Sequence, residues 1–399
     1  MQTDWLGSDS SQWIDIALQP LKAESRIEVL ERERTLYDRL ACPQSSSIVL
    51  FGAGALGKAT LRGLRVAGIE PVAISDNNPQ LWGKKIDDIH VYPPMEAILQ
   101  WGSNATFVVT VYNGSRIRDQ LKSANCFWVT SFVPLYWKYS QVFIPDSCLG
   151  LPHMIWDNEE SIRSAYTILG DDISRREFCQ QIRWRFLLDY DVLSPALDHT
   201  IMYYPDDLVK PIENEVIVDC GAYDGDSIRG FFDVRGIRFK RIYALEPDFS
   251  NRKALQAFIT ELPQDISSKI TVFPYAVGEK SEIISFSATN DVCSSMVSGD
   301  LSQEIECRAL DELQFDMAPT YIKMDIEASE PAAISGSKKL IASVSPIFAV
   351  CIYHRCEHLW EIPMQLHQSS DQYNIYIRRY AEECWEMVCY AVPKSRLSN

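Results

Sequence analysis

Residues 216–227 read Val-Ile-Val-Asp-Cys-Gly-Ala-Tyr-Asp-Gly-Asp-Ser, a hydrophobic run that passes directly into an acidic, glycine-bearing turn. The run predicts a buried parallel strand, and a helix is expected to follow the turn. Gly221 and Gly225 would let the backbone approach a ligand closely, while the helix N-terminus would offer N–H groups to a carboxylate. The alternative is an ordinary strand–turn–helix junction without a ligand.

The acidic residues of this turn indicate the kind of ligand. Three aspartates would repel a pyrophosphate, whereas Asp219 together with Asp224 or Asp226 would attract the ammonium of a zwitterionic amino-acid tail. We therefore predict that the turn binds such a tail. The turn residues in this prediction are Asp219, Gly221, Tyr223, Asp224, Gly225, Asp226 and Ser227.

A second strand ends in an acid about 20 residues beyond the turn, in Leu245-Glu246-Pro247-Asp248. A carboxylate in this place commonly binds ribose hydroxyls in a doubly wound sheet, so Glu246 is the predicted ribose ligand, with Pro247 beside it. The next strand ends in Phe273-Pro-Tyr-Ala276, where Tyr275 and Ala276 are candidates to flank an adenine ring. Tyr275 would equally suit the core.

The segment Ile322-Lys-Met-Asp-Ile-Glu327 alternates between aliphatic and charged residues. Alternation predicts that Lys323, Asp325 and Glu327 share one face of a strand. A central parallel strand is covered on both faces, so charges at its carboxyl end are costly unless they border a cleft, and ligands bind at that end. An edge strand with one solvated face is the alternative.

Apolar runs along the chain predict the fold class, which is α/β with two doubly wound Rossmann-like domains. In the first half, the predicted strands are Ile48–Phe51, Val72–Asp76 and Phe107–Val111. In the second half they are Val216–Asp219, Arg241–Glu246, Ile270–Phe273, Tyr321–Ile326, Pro346–Tyr353, Asn374–Ile377 and Met387–Val392. We predict a helical brace at 1–46, a nucleotide-binding-type domain at 47–150, a helical connector at 151–212 and a second domain at 213–399.

The first domain contains a dinucleotide fingerprint in its expected context. Gly52, Gly54 and Gly57 follow a strand, and Asp76 ends the next strand about 20 residues later. These four residues predict a nucleotide site and raise the alternative of an NAD(P)-dependent oxidoreductase. A domain that keeps the glycines only for packing is the other interpretation.

Residues 205–399 resemble the FkbM family of S-adenosylmethionine (SAM)-dependent methyltransferases. The matching segments are VDCGAYDGDS (218–227), ALEPD (244–248), YAVGE (275–279), LDEL (310–313), KMDIEASEP (323–331), YHRCEHLWEIP (353–363) and CYAVP (389–393). The resemblance implies a seven-stranded methyltransferase fold and methyl transfer to a hydroxyl of a sugar, glycan or natural-product acceptor. The family block reads more like K-x-D-x-E-G-x-E, whereas this chain has Ala328 and Ser329 before Glu330, so the turn is expected to differ.

Methyl transfer to an unactivated alcohol requires alignment and either a base or a metal. Asp325 is the first candidate for the base or for a ligand of a divalent metal, with Glu327 in support. Lys323 would stabilise these acids or polarise the acceptor. His354 is the alternative base, or a structural histidine.

A second feature lies close to His354 in the sequence. His354 and His358 are four residues apart, with Cys356 between them. If this segment were helical, these side chains would lie close enough together to bind zinc. Trp360 would either pack in a cover over the site or stack on a sugar.

Charge and hydropathy restrict the partners. The formal net charge of −16 disfavours a nucleic-acid partner. We find neither a secretory signal nor an apolar run of about 20 residues that would span a membrane, so a cytoplasmic protein is expected. The expected partner is a small-molecule or glycan acceptor, and a non-catalytic glycan-binding protein is a further alternative.

Overall fold

The computed structural model describes residues 6–7, 9–144, 148–287 and 302–398. The chain divides into two compact units. Among the described residues, the first unit comprises Asp15–Glu159 and Gln181–Pro195, and the second comprises Glu160–Gln180, Ala196–Asn399 and the described part of 4–14. The helix Asp172–Leu187 contributes residues to both.

The elements of the first part of the chain alternate between strands and helices. The strands are β1 Ile48–Phe51, β2 Ala73–Ser75, β3 Lys85–Ile86, β4 Ile89–Tyr92, β5 Thr106–Val109 and β6 Val129–Ser131. The helices are α1 Trp13–Leu18, α2 Arg26–Leu40, α3 Ala55–Val66, α4 Pro94–Trp101, α5 Ser115–Ser123, α6 Val133–Lys138, α7 Ser140–Phe143, α8 Pro152–Asp157, α9 Glu159–Thr167 and α10 Asp172–Leu187.

The sheet of the first unit has the strand order β3-β4-β2-β1-β5-β6. Its pairs are parallel except for β3 with β4. The apolar run of β1 is buried at every position because it lies between β2 and β5. The core on one side of this sheet includes Val49, Phe51, Phe107 and Leu121. The α/β class predicted for this half of the chain is confirmed by its mostly parallel sheet.

The elements of the second part begin with β7. The strands are β7 Val216–Cys220, β8 Arg241–Leu245, β9 Ile270–Phe273, β10 Ala276–Val277, β11 Glu282–Ser287, β12 Ser302–Arg308, β13 Tyr321–Met324, β14 Ile347–Cys351, β15 Tyr373–Arg379 and β16 Met387–Pro393. The helices are α11 Asp226–Arg235, α12 Phe249–Glu261, α13 Gln264–Ser267, α14 Glu330–Ser335, α15 Lys338–Val344 and α16 His358–Ser369.

Seven of these strands form one sheet in the order β15-β16-β14-β13-β7-β8-β9. They are the seven strands predicted from the sequence, and the α/β fold class is confirmed. Strand β16 runs antiparallel to both of its neighbours, whereas the other adjacent pairs are parallel. A smaller sheet, β10-β12-β11, was not predicted.

Strand β13 is central, because it pairs with β14 on one side and β7 on the other. The edge-strand alternative is therefore wrong. The prediction that Lys323, Asp325 and Glu327 share one face of a strand is also wrong, because the strand ends at Met324. Glu330 accepts a hydrogen bond from the backbone N–H of Ile326 at 2.9 Å, and this bond turns the chain out of the sheet towards α14. Asp325 and Glu327 consequently lie in the loop after the strand.

Within the described ranges, we find no helix that is both long and apolar enough to cross a membrane.

Candidate active site

The turn after β7 lies against the end of β13. Gly221 has a φ of +78°, and a Cβ atom at this position would lie 1.9 Å from the carbonyl oxygen of Asp325. Gly225, the residue before α11, has a φ of +92°, and a Cβ there would lie 2.7 Å from the ring of Phe258. Both positions require glycine, for conformation as well as for space. This close approach brings the carboxyl ends of β7 and β13 together.

Asp219 lies inside the sheet instead of facing a ligand. Its carboxylate accepts a hydrogen bond from the Ser227 hydroxyl and lies 3.1 Å from the Lys323 ammonium. Lys323 also donates to the carbonyl oxygen of Gly221 at 2.7 Å. Burial raises the pKa of Asp219 and the Lys323 charge opposes that rise. Burial would lower the pKa of Lys323, but the nearby carboxylates, led by Asp219, raise it above its usual value. The pair therefore fixes a charged lysine beneath the turn.

Glu246 ties the end of β8 to the same turn. Its carboxylate accepts hydrogen bonds from the backbone N–H groups of Tyr223, at 2.9 Å, and Asp248, at 2.8 Å. Burial raises the pKa of Glu246 to about 7, although these hydrogen bonds lower it. The Asn251 side chain also forms a hydrogen bond with this carboxylate. A carboxylate has about four acceptor sites, so Glu246 can still accept a hydrogen bond from a ribose hydroxyl. The neighbouring Pro247 carbonyl accepts from Arg252 at 2.7 Å.

The other predicted cofactor residues differ in exposure. Tyr223 is 53% exposed with a φ of +45°, and Asp226 is also exposed. Asp224 forms an ion pair with Arg229 at 2.5 Å. Tyr275 is half-buried and stacks on Phe273, with ring centroids 5.9 Å apart. The half-buried Ala276 begins β10, which pairs with β12.

Asp325 is an ionised carboxylate with one open side. The Tyr203 hydroxyl donates to it at 2.8 Å, and the Tyr353 hydroxyl lies 3.5 Å away. Nε2 of His354 lies 3.2 Å from Oδ1, and 25% of the Asp325 side chain is exposed. Burial would raise the pKa of Asp325, but His354 and Lys323 lower it well below its usual range. Asp325 is therefore fixed as a hydrogen-bond acceptor.

His354 is buried, and both of its ring nitrogens face carboxylates. Its Nδ1 lies 2.8 Å from Glu330, and its Nε2 lies 3.2 Å from Asp325 and 3.7 Å from Glu327. Burial would lower the pKa of His354, but Glu330 and Asp325 raise it well above the ordinary value. A protonated imidazole has no lone pair for a second proton. The arrangement therefore favours Asp325 over His354 as the group that receives a hydrogen bond from an acceptor.

A metal does not fit these side chains as they are arranged. Within the described residues, ligand atoms of Asp325, Glu330 and His354 lie within 4.8 Å of one another, a group that does not include Glu327. A histidine ligand must be deprotonated at its ligating nitrogen, whereas both His354 nitrogens face carboxylates. We derive no catalytic step through a metal.

The predicted zinc spacing also fails, because α16 begins only at His358 and residues 354–357 are not helical. His358 instead lies with Nδ1 3.6 Å from Glu330. Trp360 is 2% exposed, so it packs in the core and the alternative of a sugar-stacking wall is wrong.

Sequence reasoning missed four residues of this site. Tyr203 lies in the segment interpreted as a connector, and Glu330 and Tyr353 lie in quoted motifs to which no role was given. Glu386, an acid directly before β16, interacts electrostatically with Asp325 and His354. The signal for Glu386 was its position: the first residues of an antiparallel strand lie at the edge where the parallel strands end.

The glycine turn of the first unit is explained largely by packing. A Cβ at Gly57 would lie 1.9 Å from the carbonyl oxygen of Gly52, which itself has a φ of +121°. Gly54 has open space around it. Asp76 accepts a hydrogen bond from the backbone N–H of Ala53 at 2.8 Å. The nucleotide site at this turn stays a prediction.

Comparisons with known proteins show what this chain is similar to. The methyltransferase FkbM domain matches residues 219–384. The methyltransferase FkbM from Methylobacillus flagellatus KT has a similar structure, with a TM-score of 0.74 at 21% identity over 96% of this chain and 100% of that chain. A precorrin-6y C5,15-methyltransferase from Geobacter metallireducens GS-15 aligns over 45% of this chain and 78% of that chain at 11% identity, and its TM-score of 0.28 supports no argument.

No match was found among curated proteins. The family match covers the turn after β7, Glu246, Asp325 and His354, which are the parts of the site assembled by the second unit. Residues 219–384 therefore match the methyltransferase FkbM domain, and the chain shares its fold with an FkbM methyltransferase.

Proposed function

We propose that the protein is a SAM-dependent O-methyltransferase that acts on a hydroxyl of a sugar, glycan or natural-product acceptor. The observation that supports this most directly is the ionised, partly exposed Asp325 next to the Gly221 turn. A carboxylate in this position can accept a hydrogen bond from an acceptor hydroxyl and orient its oxygen.

The cofactor residues in this proposal lie along one edge of the seven-stranded sheet. Glu246 would hold the ribose hydroxyls, and the turn from Gly221 to Gly225 would lie against the amino-acid tail. Asp219 would act indirectly, by fixing Lys323. The exposed Asp226 is available to an ammonium. SAM, when bound, supplies a methyl group already activated on a sulfonium.

The residues around Asp325 fit a hydroxyl acceptor. Tyr203 donates to one carboxylate oxygen and His354 lies beside the other, so the carboxylate is held in one orientation. Lys323 adds positive charge beneath it without reaching the open side, because its ammonium is bonded to Gly221 and paired with Asp219. Asp325 would thus align the acceptor oxygen with the methyl group.

Two measurements test the proposal. Calorimetry should show saturable binding of S-adenosylhomocysteine (SAH), and a thermal-shift comparison should show stabilisation by SAH. Stabilisation by NAD or NADP alone would favour the oxidoreductase alternative, and no stabilisation by any of them would favour a non-catalytic protein. Transfer of labelled methyl groups to a panel of activated sugars and glycans would then identify the acceptor.

A further inference from the structure

We propose that Glu386 is the catalytic base that takes the proton of the acceptor hydroxyl, while Asp325 orients that hydroxyl. The inference rests on the proposed methyl transfer and adds a residue that the sequence motifs did not indicate.

The backbone places Glu386 at the catalytic edge of the sheet. Strand β16 begins at the next residue, Met387, and its carbonyl accepts a hydrogen bond from the N–H of Ile352 at 2.9 Å. Because β16 is antiparallel to β14, its first residues lie at the carboxyl end of β14, beside Tyr353 and His354. Glu386 also has a φ of +50°. Strained backbone of this kind in a non-glycine residue clusters at functional sites.

The Glu386 carboxylate is partly buried, and no described residue donates a hydrogen bond to it. Burial and the negative charge of Asp325 together raise the pKa of Glu386 to about 7, against the opposing charges of His354 and Lys323. The titratable groups that interact with Glu386 are Asp226, Lys323 and Asp325, together with Tyr203, Cys351, Tyr353 and His354.

Two carboxylates in one site therefore have opposite properties. Asp325 has a lowered pKa, so it holds a hydrogen bond well but takes up a proton poorly at neutral pH. A general base is most effective when its pKa lies near the working pH, and Glu386 meets this condition. Such a separation of two neighbouring carboxyl groups is a general sign of distinct acid–base roles.

The proposed methyl transfer from SAM to the acceptor oxygen needs no further reactant. A lone pair of the acceptor oxygen forms the new C–O bond, and the electron pair of the broken C–S bond stays on sulfur. The hydroxyl proton goes to the Glu386 carboxylate, which returns it to solvent after the product leaves. The products are the methyl ether, SAH and a proton.

Sinefungin provides a test that needs no identified acceptor, because a carbon bearing an amine replaces the methylsulfonium group of SAM. Its ammonium would lie where the methyl group is transferred. We expect the full chain to bind sinefungin more tightly than SAH, with a preference that grows as pH rises through about 7. In Glu386→Gln, the preference should fall by about tenfold or more and lose this pH step, while SAH affinity stays within about twofold.

Three comparisons make the result specific. The pKa of Glu246 is also about 7. Because Glu246 would bind the ribose of sinefungin and of SAH alike, its titration cancels in the ratio of the two affinities. Asp325→Asn should weaken sinefungin binding and keep a pH step, but at lower pH, because the charge of Asp325 no longer raises the pKa of Glu386. Glu361→Gln, at an exposed acid on α16, should change nothing. If Glu386→Gln folds poorly, Glu386→Asp should keep the pH step with a smaller preference.

An unchanged ratio and pH step in Glu386→Gln would overturn the assignment of Glu386. Failure of the unsubstituted protein to bind either ligand would instead overturn the proposed function, and this assignment with it. Once the acceptor is known, kcat should rise with pH through about 7 in the parent protein, and Glu386→Gln should lose that rise.

Discussion

The ammonium of Lys323 lies 3.1 Å from the carboxylate of Asp219, and the two side chains are only 2% and 1% exposed. They are register partners on the central strands β13 and β7. The lysine also donates to the Gly221 carbonyl, so a single buried charge connects the sheet to the turn.

Breaking this pair should destabilise the protein strongly. Lys323→Met would leave Asp219 buried and unpaired, which costs about 3–5 kcal/mol. Denaturant unfolding would measure the loss, with Lys338→Met as the control, since Lys338 is exposed and should change stability by less than about 0.5 kcal/mol. Equal effects of the two substitutions would contradict the structural role of Lys323.

Replacing Ala328 with glycine should stabilise the fold. Ala328 has a φ of +75°, and a left-handed backbone costs a non-glycine residue about 1–2 kcal/mol. The greater freedom of glycine in the unfolded chain offsets part of this gain, so we expect about 0.5–1 kcal/mol in denaturant unfolding. Ala332→Gly, inside α14, should have the opposite sign, at about 1 kcal/mol of destabilisation. A loss of stability in both variants would contradict the conformation of this turn.

SAH binding should strengthen as pH rises through about 7, the raised pKa of Glu246. The free carboxyl group is protonated below this pH, whereas two ribose hydroxyls bond best to the ionised form, so binding should release up to one proton on the acid side. Calorimetry in two buffers of different ionisation enthalpy would detect this proton. Glu246→Ala should lower affinity about tenfold or more and abolish the proton release. Unchanged SAH affinity in this variant would remove Glu246 from the ribose site.

Asp325→Asn should lower turnover by about 10² while SAH affinity survives, because the substitution keeps the shape and removes the charge that orients the acceptor. Steady-state kinetics and SAH titration of one preparation would separate the two effects. Near-normal turnover would show that Asp325 is not needed for catalysis. Rescue of turnover by added Mg²⁺ would instead indicate a catalytic metal, contrary to the conclusion drawn from the arrangement of the side chains.

Two glycines of the first unit should respond differently to alanine. Gly57→Ala should cost about 1–3 kcal/mol, because its Cβ would collide with the Gly52 carbonyl. Gly54→Ala should be neutral or slightly stabilising, because open space surrounds that position. Thermal unfolding compares the two, and equal losses would contradict the packing explanation.

The predicted nucleotide site of the first unit needs a separate measurement. NAD, NADP and several nucleotide sugars would be titrated against the full chain and against Gly54→Val and Asp76→Ala. Binding that both substitutions abolish would establish the site. If none of these ligands binds, the glycines have a packing role alone.

The sequence was most informative where hydrophobic continuity decides the structure. Apolar runs identified all seven strands of the second sheet, because buried central strands need apolar residues throughout. The sequence was least informative about where a side chain points and about contacts between residues far apart in the chain. The spacing of residues did not show that Asp219 faces Lys323 inside the sheet. No local sequence pattern predicts the hydrogen bond between Tyr203 and Asp325, because the two residues are 122 positions apart.

Strand β16 has a consequence for the protein during its synthesis. The turn after β7 is translated long before the strand that positions Glu386. At about 5–20 residues per second, the delay is on the order of 10–30 s. Since β16 pairs on both sides, with β14 and β15, its late arrival also completes the sheet. A nascent chain that already contains the turn after β7 would therefore lack Glu386, the proposed base. The proposed methyl transfer would then begin only after the ribosome has made almost all of the second unit.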